Sequence, residues 1–435
     1  MPAARSKPPA FETLSPRQQV ARMAEMGAVH RAFEWFRKHK EQLSQLQLEI
    51  CAVPSPPFGE GARAAWLRKR FADLGLEQAQ IDEAGNVIAV RRGSDPDAAR
   101  VALLAHIDTV FPQGTPLKVH SQGGRLYGPG ISDNASGLVA LLAIAEALRS
   151  ANARHHGDIV FAGTVGEEGE GNLRGVRHFF SQPEWRESIA YTLVVDGAGT
   201  ETMVSQALGS RRFEISLRGK GGHSWSDFGD PNPIAVLARA IADLYKTEVS
   251  PEARRKSAYN VGVIEGGTSV NSIPESARMR VDLRSESQEE LDRLEGELRA
   301  SIARALRHSR KHLPRNEDGL GKPAQASAPA SESGPPLQCD IRCIGERPAA
   351  ELAPGARILQ VMQAVDAHLG INSRIHCSST DANIPLALGK EALSIGAGGT
   401  GGAAHTLNEW YDPAGRDLGL KRILVAVLAL AGVDE

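Results

Sequence analysis

Leu103-Leu104-Ala105-His106-Ile107-Asp108-Thr109-Val110 is an apolar run that ends in a histidine and an aspartate two residues apart. Val101–Ile107 is hydrophobic throughout, the pattern of a strand buried on both faces, and such strands belong to sheets covered by helices. Period-two alternation puts His106 and Asp108 on one side, and open α/β sheets carry their sites at the carboxyl ends of strands. An imidazole can bind a metal through one nitrogen while a carboxylate fixes its other N–H, which makes His106 a candidate ligand and Asp108 its support. In isolation, a core histidine bonded to a neighbouring aspartate is the commoner reason for such a pair.

Outward from this run the chain repeats the pattern. Asp158–Val165, Tyr191–Val195 and Ala392–Ile395 are further apolar runs, Ser136–Leu148 reads as a helix, and Ile423–Ala431 closes the chain as an apolar helix. The alternation predicts an α/β fold, a sheet flanked by helices. Upstream, Pro16–Ala52 reads as one or two amphipathic helices and Glu60–Leu74 as another, ending at Gly75. Between about Gly209 and Pro348 the pattern changes to alternating strands, Arg211–Arg218, Tyr259–Glu265 and Ala277–Arg284, with helices Pro233–Tyr245 and Ser287–His308. The expected division is therefore a first part, 1–208 (1–15 disordered), a smaller α+β insert, 209–348 (319–336 a flexible Ala/Ser/Gly/Pro-rich loop), and a second part, 349–435.

Four more positions carry chemistry. Asp133, in Gly128-Pro129-Gly130-Ile131-Ser132-Asp133-Asn134, stands where a chain turns into a helix, and as a lone residue it reads equally as a helix cap. Asp158–Val165 runs into Gly166-Glu167-Glu168-Gly169-Glu170-Gly171. Adjacent carboxylates repel unless a cation or proton lies between them, and the glycines let both face one site. A hydrolytic metal site needs one carboxylate as ligand and another to take a proton from water, the roles suited to Glu168 and Glu167. Leu193-Val194-Val195 delivers Asp196, and a glycine-rich loop from Gly396 to Gly402 delivers His405. That loop lacks the Gly-Lys-Ser/Thr ending of a nucleotide-binding P-loop. His, Asp, Glu, Asp and His at strand ends and loops point to a two-metal hydrolase. Two Zn²⁺, three carboxylates and one hydroxide sum to zero charge.

Composition narrows the partners. A chain of 435 residues exceeds what one core usually supports. Fifty Lys and Arg against 52 Asp and Glu leave no broad positive field for a phosphate backbone. Cys51, Cys339, Cys343 and Cys377 form no C-x-x-C clip and read as free thiols. With no apolar run of bilayer length and a polar, Pro-rich start, the expected location is cytoplasmic.

Together these segments resemble the M20 family of metallopeptidases, which includes peptidase T, dipeptidases, glutamate carboxypeptidases and N-acyl amino acid deacylases. The resemblance implies a zinc-exopeptidase-like catalytic domain interrupted by a lid that also dimerises. It assigns one zinc to His106 and Asp196, the other to Glu168 and His405, and a bridging role to Asp133, with cobalt or manganese able to replace zinc. Glu167 becomes the general base and Asp108 the support of His106. In the insert, Gly219-Lys220-Gly221-Gly222-His223-Ser224 resembles the lid motif whose histidine reaches a partner's active site and helps hold an oxyanion. Thr268-Ser269-Val270-Asn271-Ser272-Ile273-Pro274 resembles a segment whose Asn, here Asn271, contacts substrate. Asp381, in Ser378–Asn383, stands where relatives place substrate-facing groups.

Aspartate at the position of Asp196 goes, in the family, with aminopeptidases and dipeptidases, which favours dipeptides or short peptides as substrates. A deacylase, amidohydrolase or carboxypeptidase would use the same site. A binding protein without activity is disfavoured by the presence of Glu167.

Overall fold

The computed structural model describes residues 14–249, 255–311 and 337–433. The chain divides into two compact units, the first made of residues up to Ala207 together with those from Ala350 onward, the second of Leu208–Ala349.

In the first unit the quoted run forms the strand Arg100–His106, in which every residue after Arg100 is buried. It is parallel to Ile159–Thr164 on one side and Ile189–Val195 on the other, and Glu391–Ile395 runs parallel beyond the latter. Because alternate side chains point to opposite faces, complete burial means that both faces are covered. These four strands are the centre of a nine-stranded mixed sheet among the described residues. Glu77–Ile81 and Val87–Arg91 extend it antiparallel beyond Ile159–Thr164. Thr202–Ala207 lies antiparallel to Glu391–Ile395 and pairs in turn with Arg374–Ser378 and Ala350–Glu351. In that last pairing Ala207 sits opposite Ala350, so the chain leaves the sheet and rejoins it at register partners.

The helix Ala135–Ser150 is buried at almost every position, as its near-uniform Ala, Leu, Ile and Val content dictates. The closing helix, Arg416–Ala431, starts earlier than its apolar run because Arg416 and Arg422 are themselves buried, Arg422 against Asp366 at 2.6 Å. The segment expected as one or two helices is three: Pro16–Ala24, Gly27–Lys38 and Lys40–Cys51. The second break falls at His39, whose ring stacks on Trp35 and whose ring Nδ1 and backbone N–H both meet the Trp35 carbonyl.

The second unit is a four-stranded antiparallel sheet in the order Ser257–Gly266, Ser276–Ser285, Gly209–Arg218, Gln338–Arg347. Ser276–Ser285 alternates exposed and buried residues along its length. Met279, Val281 and Leu283 on its buried face join Phe213, Ile215 and Leu217, packed with apolar residues of helices Pro233–Leu244 and Gln288–Lys311. The other face is charged, with Glu214 bonded by Arg280 and Arg342. The expected disorder of the first residues falls mostly on 1–13 and the flexible loop on 319–336, both outside the described residues. None of the four cysteines is in a disulfide. No helix among the described residues is long and apolar enough to cross a membrane.

Candidate active site

The four central strands are parallel, so their carboxyl ends lie on one edge of the sheet, and each delivers a functional side chain there. His106 ends the first strand, Glu167 and Glu168 follow Thr164, Asp196 follows Val195, and the loop after Ile395 leads to His405. His106 and Thr164 are register partners, which brings the histidine beside the turn into the two glutamates. Gly166 makes that turn at φ +67°, a conformation that glycine adopts without steric cost. His405 sits at φ +64°, left-handed for a residue with a Cβ and so held by its surroundings.

Asp133 joins the two halves. Its Oδ1 lies 2.9 Å from His106 Nε2 and its Oδ2 lies 3.2 Å from His405 Nε2. His405 Nε2 is also 2.9 Å from Glu168 Oε1, and Asp196 Oδ1 is 3.6 Å from His106 Nε2. One ligand atom each from His106, Asp133 and Glu168 lies within 4.8 Å of the others, a spacing that suits a metal ion. Asp133 does not cap the following helix. Asn134 does, accepting the Gly137 N–H, which leaves the Asp133 carboxylate to the site.

The protonation pattern tests whether a cation fits. His106 Nδ1 is 3.0 Å from the backbone carbonyl oxygen of Asp108, an arrangement in which Nδ1–H donates and the Nε2 lone pair faces Asp133. A lone pair and a carboxylate oxygen at such a distance need a proton or a cation between them. Burial works against a charged His106, yet Asp108, Asp133 and Asp196 raise its pKa well above the usual histidine value. His405 is raised to about 9, first by its hydrogen bond to Asp133. Burial would raise Asp133, but the two imidazoles hold it well below the carboxylate range, while burial lifts Glu168. The cluster is short of positive charge and offers nitrogen and oxygen donors, so the residues present fit a metal centre.

Buried side chains hold the backbone on which these donors ride. The Asp108 carboxylate accepts the N–H groups of Glu167 at 3.0 Å and Glu168 at 2.8 Å, and stands 3.7 Å from His106 Nδ1. Its support of His106 therefore runs through its main-chain carbonyl, and its carboxylate grips the glutamate turn. Glu409 accepts the N–H groups of Gly130, Ser132 and Asp133 at 2.7–2.8 Å, and its burial raises it to about 7. Asn134 donates to the Val195 carbonyl and accepts the Gly197 N–H, bracketing Asp196. Glu409 and Asn134 are absent from the motif reading. The trace of Glu409 in the sequence is an acid directly before the apolar pair Trp410-Tyr411.

Asp381 is not a pocket wall. It has no exposed surface, its Oδ2 accepts the Thr164 hydroxyl, and its Oδ1 has no partner. Burial pushes its pKa up to about 7. A fully buried carboxyl beneath the strand ends cannot touch a substrate at the surface. His223 and Asn271 belong to the second unit, where the register pairs His223 with Ser272 and Ser224 donates to the Asn271 carbonyl. The exposed His223 ring accepts at Nδ1 from the Trp225 and Ser226 N–H groups, at 3.2 and 3.4 Å.

Peptidase family M20/M25/M40 matches residues 102–429, and the chain belongs to that family of hydrolytic enzymes. Among curated relatives, succinyl-diaminopimelate desuccinylase of Burkholderia cenocepacia (strain HI2424) is 28% identical over 253 residues, covering 54% of this chain. The match spans 66% of that relative's length. The aminopeptidase PepT structure from Bacillus cereus ATCC 10987 covers 90% of this chain and 99% of its own, with TM-score 0.70 and 21% identity. Bacillus subtilis YxeP, described as a dinuclear metal binding peptidase, covers 91% of this chain and 99% of its own, with TM-score 0.63 and 15% identity. At these identities the structures establish the shared fold.

Proposed function

We propose that the protein is a dinuclear zinc hydrolase that cleaves the amide bond of dipeptides or short peptides. The observation that carries this reading is Asp133, whose two oxygens face His106 at 2.9 Å and His405 at 3.2 Å and so suit a carboxylate shared by two ions. His106 and Asp196 would hold one ion, Glu168 and His405 the other; cobalt or manganese would suit the same donors. When bound, the ions polarise the scissile carbonyl and make a water acidic enough to attack at neutral pH. Glu167, whose backbone Asp108 fixes beside Glu168, takes the proton from that water and returns it to the leaving amine.

His223 is assigned to oxyanion stabilisation in a second copy of the chain, through a homodimer built on the second unit. With Nδ1 accepting from two backbone N–H groups, the neutral ring carries its proton on Nε2 and offers a donor. Asn271, in the adjoining loop, would contact substrate. A variant that breaks the dimer should keep zinc and lose turnover. Four cysteines without disulfides suit a reducing, cytoplasmic setting.

A second reading, removal of an acyl group from an amino acid, is favoured by the desuccinylase relatives. Matched dipeptides with free and acylated amino termini, assayed with added Zn²⁺ and with chelator, separate the two. Chelator-sensitive turnover of the free set supports the peptidase, and turnover of the acylated set alone overturns it.

A further inference from the structure

Arg63, on the helix Gly61–Asp73, is 1% exposed, one of the largest fully buried side chains in the chain. Its guanidinium forms no ion pair among the described residues. Instead Nε and Nη2 both donate to the Val53 carbonyl, at 3.0 and 2.8 Å, and Nη1 donates to the Ile107 carbonyl at 2.9 Å. Removing a charge from water without a directly paired countercharge is costly, and an apolar side chain of similar volume would avoid that cost. The ionisable groups whose charge Arg63 feels are Cys51, Asp108 and Glu409. Two of these are the carboxylates that hold the backbones of Glu167, Glu168 and Asp133.

The contacts point to one segment. Ile107 lies between His106 and Asp108, so the fork fixes the peptide that sets the angle between the imidazole and the carboxylate. Bonded twice to Val53, the guanidinium cannot swing away from Ile107. Thr109 N–H donates to the Ser55 carbonyl at 3.0 Å, a second tie between the same loop and the same strand end. Lysine, whose three N–H donors radiate from one atom, cannot reproduce a planar fork across two carbonyls.

We propose that Arg63 is a positioning residue for the metal centre, clamping the His106–Asp108 segment to the loop after Cys51 so that His106 and the glutamate turn held by Asp108 stay in register. The inference rests on the metal-centre reading given above. Arg63 acts through main chain, at one remove from the donors, where loss of such support weakens metal affinity or activity by roughly 10–100-fold.

The test measures Zn²⁺ alone, by competition with a chromophoric chelator, on metal-free full-length wild type, R63K, R63M and R422K, with circular dichroism and Tm recorded for each. Arg422 is equally buried but bonded to Asp366, outside the donor set, so R422K controls for loss of stability. The expected result is zinc affinity lowered roughly 10–100-fold in R63K and further in R63M, and unchanged in R422K at a comparable drop in Tm. If R63M does not fold, R63K, which keeps the charge and most of the volume, decides the matter. Zinc affinity of R63K within about twofold of wild type would overturn the inference alone. A wild type that binds no zinc would overturn the metal-centre reading, and the inference with it.

Discussion

The Asp108 carboxylate bonds two consecutive backbone N–H groups, those of Glu167 and Glu168, one on each oxygen. A single buried acid thus sets the direction in which both glutamates leave the end of their strand. Asp108→Asn presents an N–H₂ where one of those N–H groups needs an acceptor. Its kcat/KM is expected to fall roughly 10–100-fold, with reduced zinc content by atomic absorption. Wild-type values for both would remove Asp108 from the positioning of the site.

Glu167→Gln preserves size and the main-chain bond to Asp108 but cannot take a proton. Turnover should drop by about 10²–10⁴-fold with zinc affinity retained. Hydrolysis at the wild-type rate would assign the base elsewhere.

On the proposed reading, zinc and protons compete for the two histidines. His405 is raised to about 9 and His106 lies well above its usual value, so in the metal-free protein the cluster favours protonated rings, His405 above all. Zinc binding must displace those protons, and affinity should climb with pH until about 9. Titrating metal-free protein with Zn²⁺ in a pH-stat near pH 7 is expected to release protons, the His405 proton among them. Release of none would show that the histidines are not protonated before zinc binds.

Asp381 and Glu409 both have pKa values raised by burial to about 7. A raised folded-state pKa favours the folded chain below the unfolded value, near 4, and that contribution is lost as pH rises through about 7. Metal-free Asp381→Asn, which can still accept the Thr164 hydroxyl, should therefore lose less stability between pH 5 and pH 8 than wild type. Urea denaturation at the two pH values reads the difference; equal losses would place the Asp381 pKa elsewhere.

The strands that carry the donors were legible because each is largely apolar and is followed, at once or after a glycine turn or loop, by His, Glu or Asp. Val101–Ile107 and Tyr191–Val195 differ from the observed strands by at most two residues at an end. The side chains that hold the donors in place left little trace. Glu409 and Arg63 act through backbone amides and carbonyls, which any residue supplies, so no pairing of residue types marks them. Asp381 shows the converse failure, since its neighbours in sequence gave no sign that Thr164 would cover it. The break at His39, where the ring stacks on Trp35, leaves no mark in the hydrophobic periodicity.

Ala207 and Ala350 face each other across an antiparallel pair, with the whole second unit strung between them. Topologically that unit is an overgrown hairpin loop. Replacing residues 208–349 by a two-residue Asn-Gly turn would close the same ladder with the shortest connection antiparallel strands accept. The carboxyl ends of the four parallel strands would remain, leaving the proposed metal donors on a minimal chain in which the contribution of the excised unit to catalysis could be measured by adding it back.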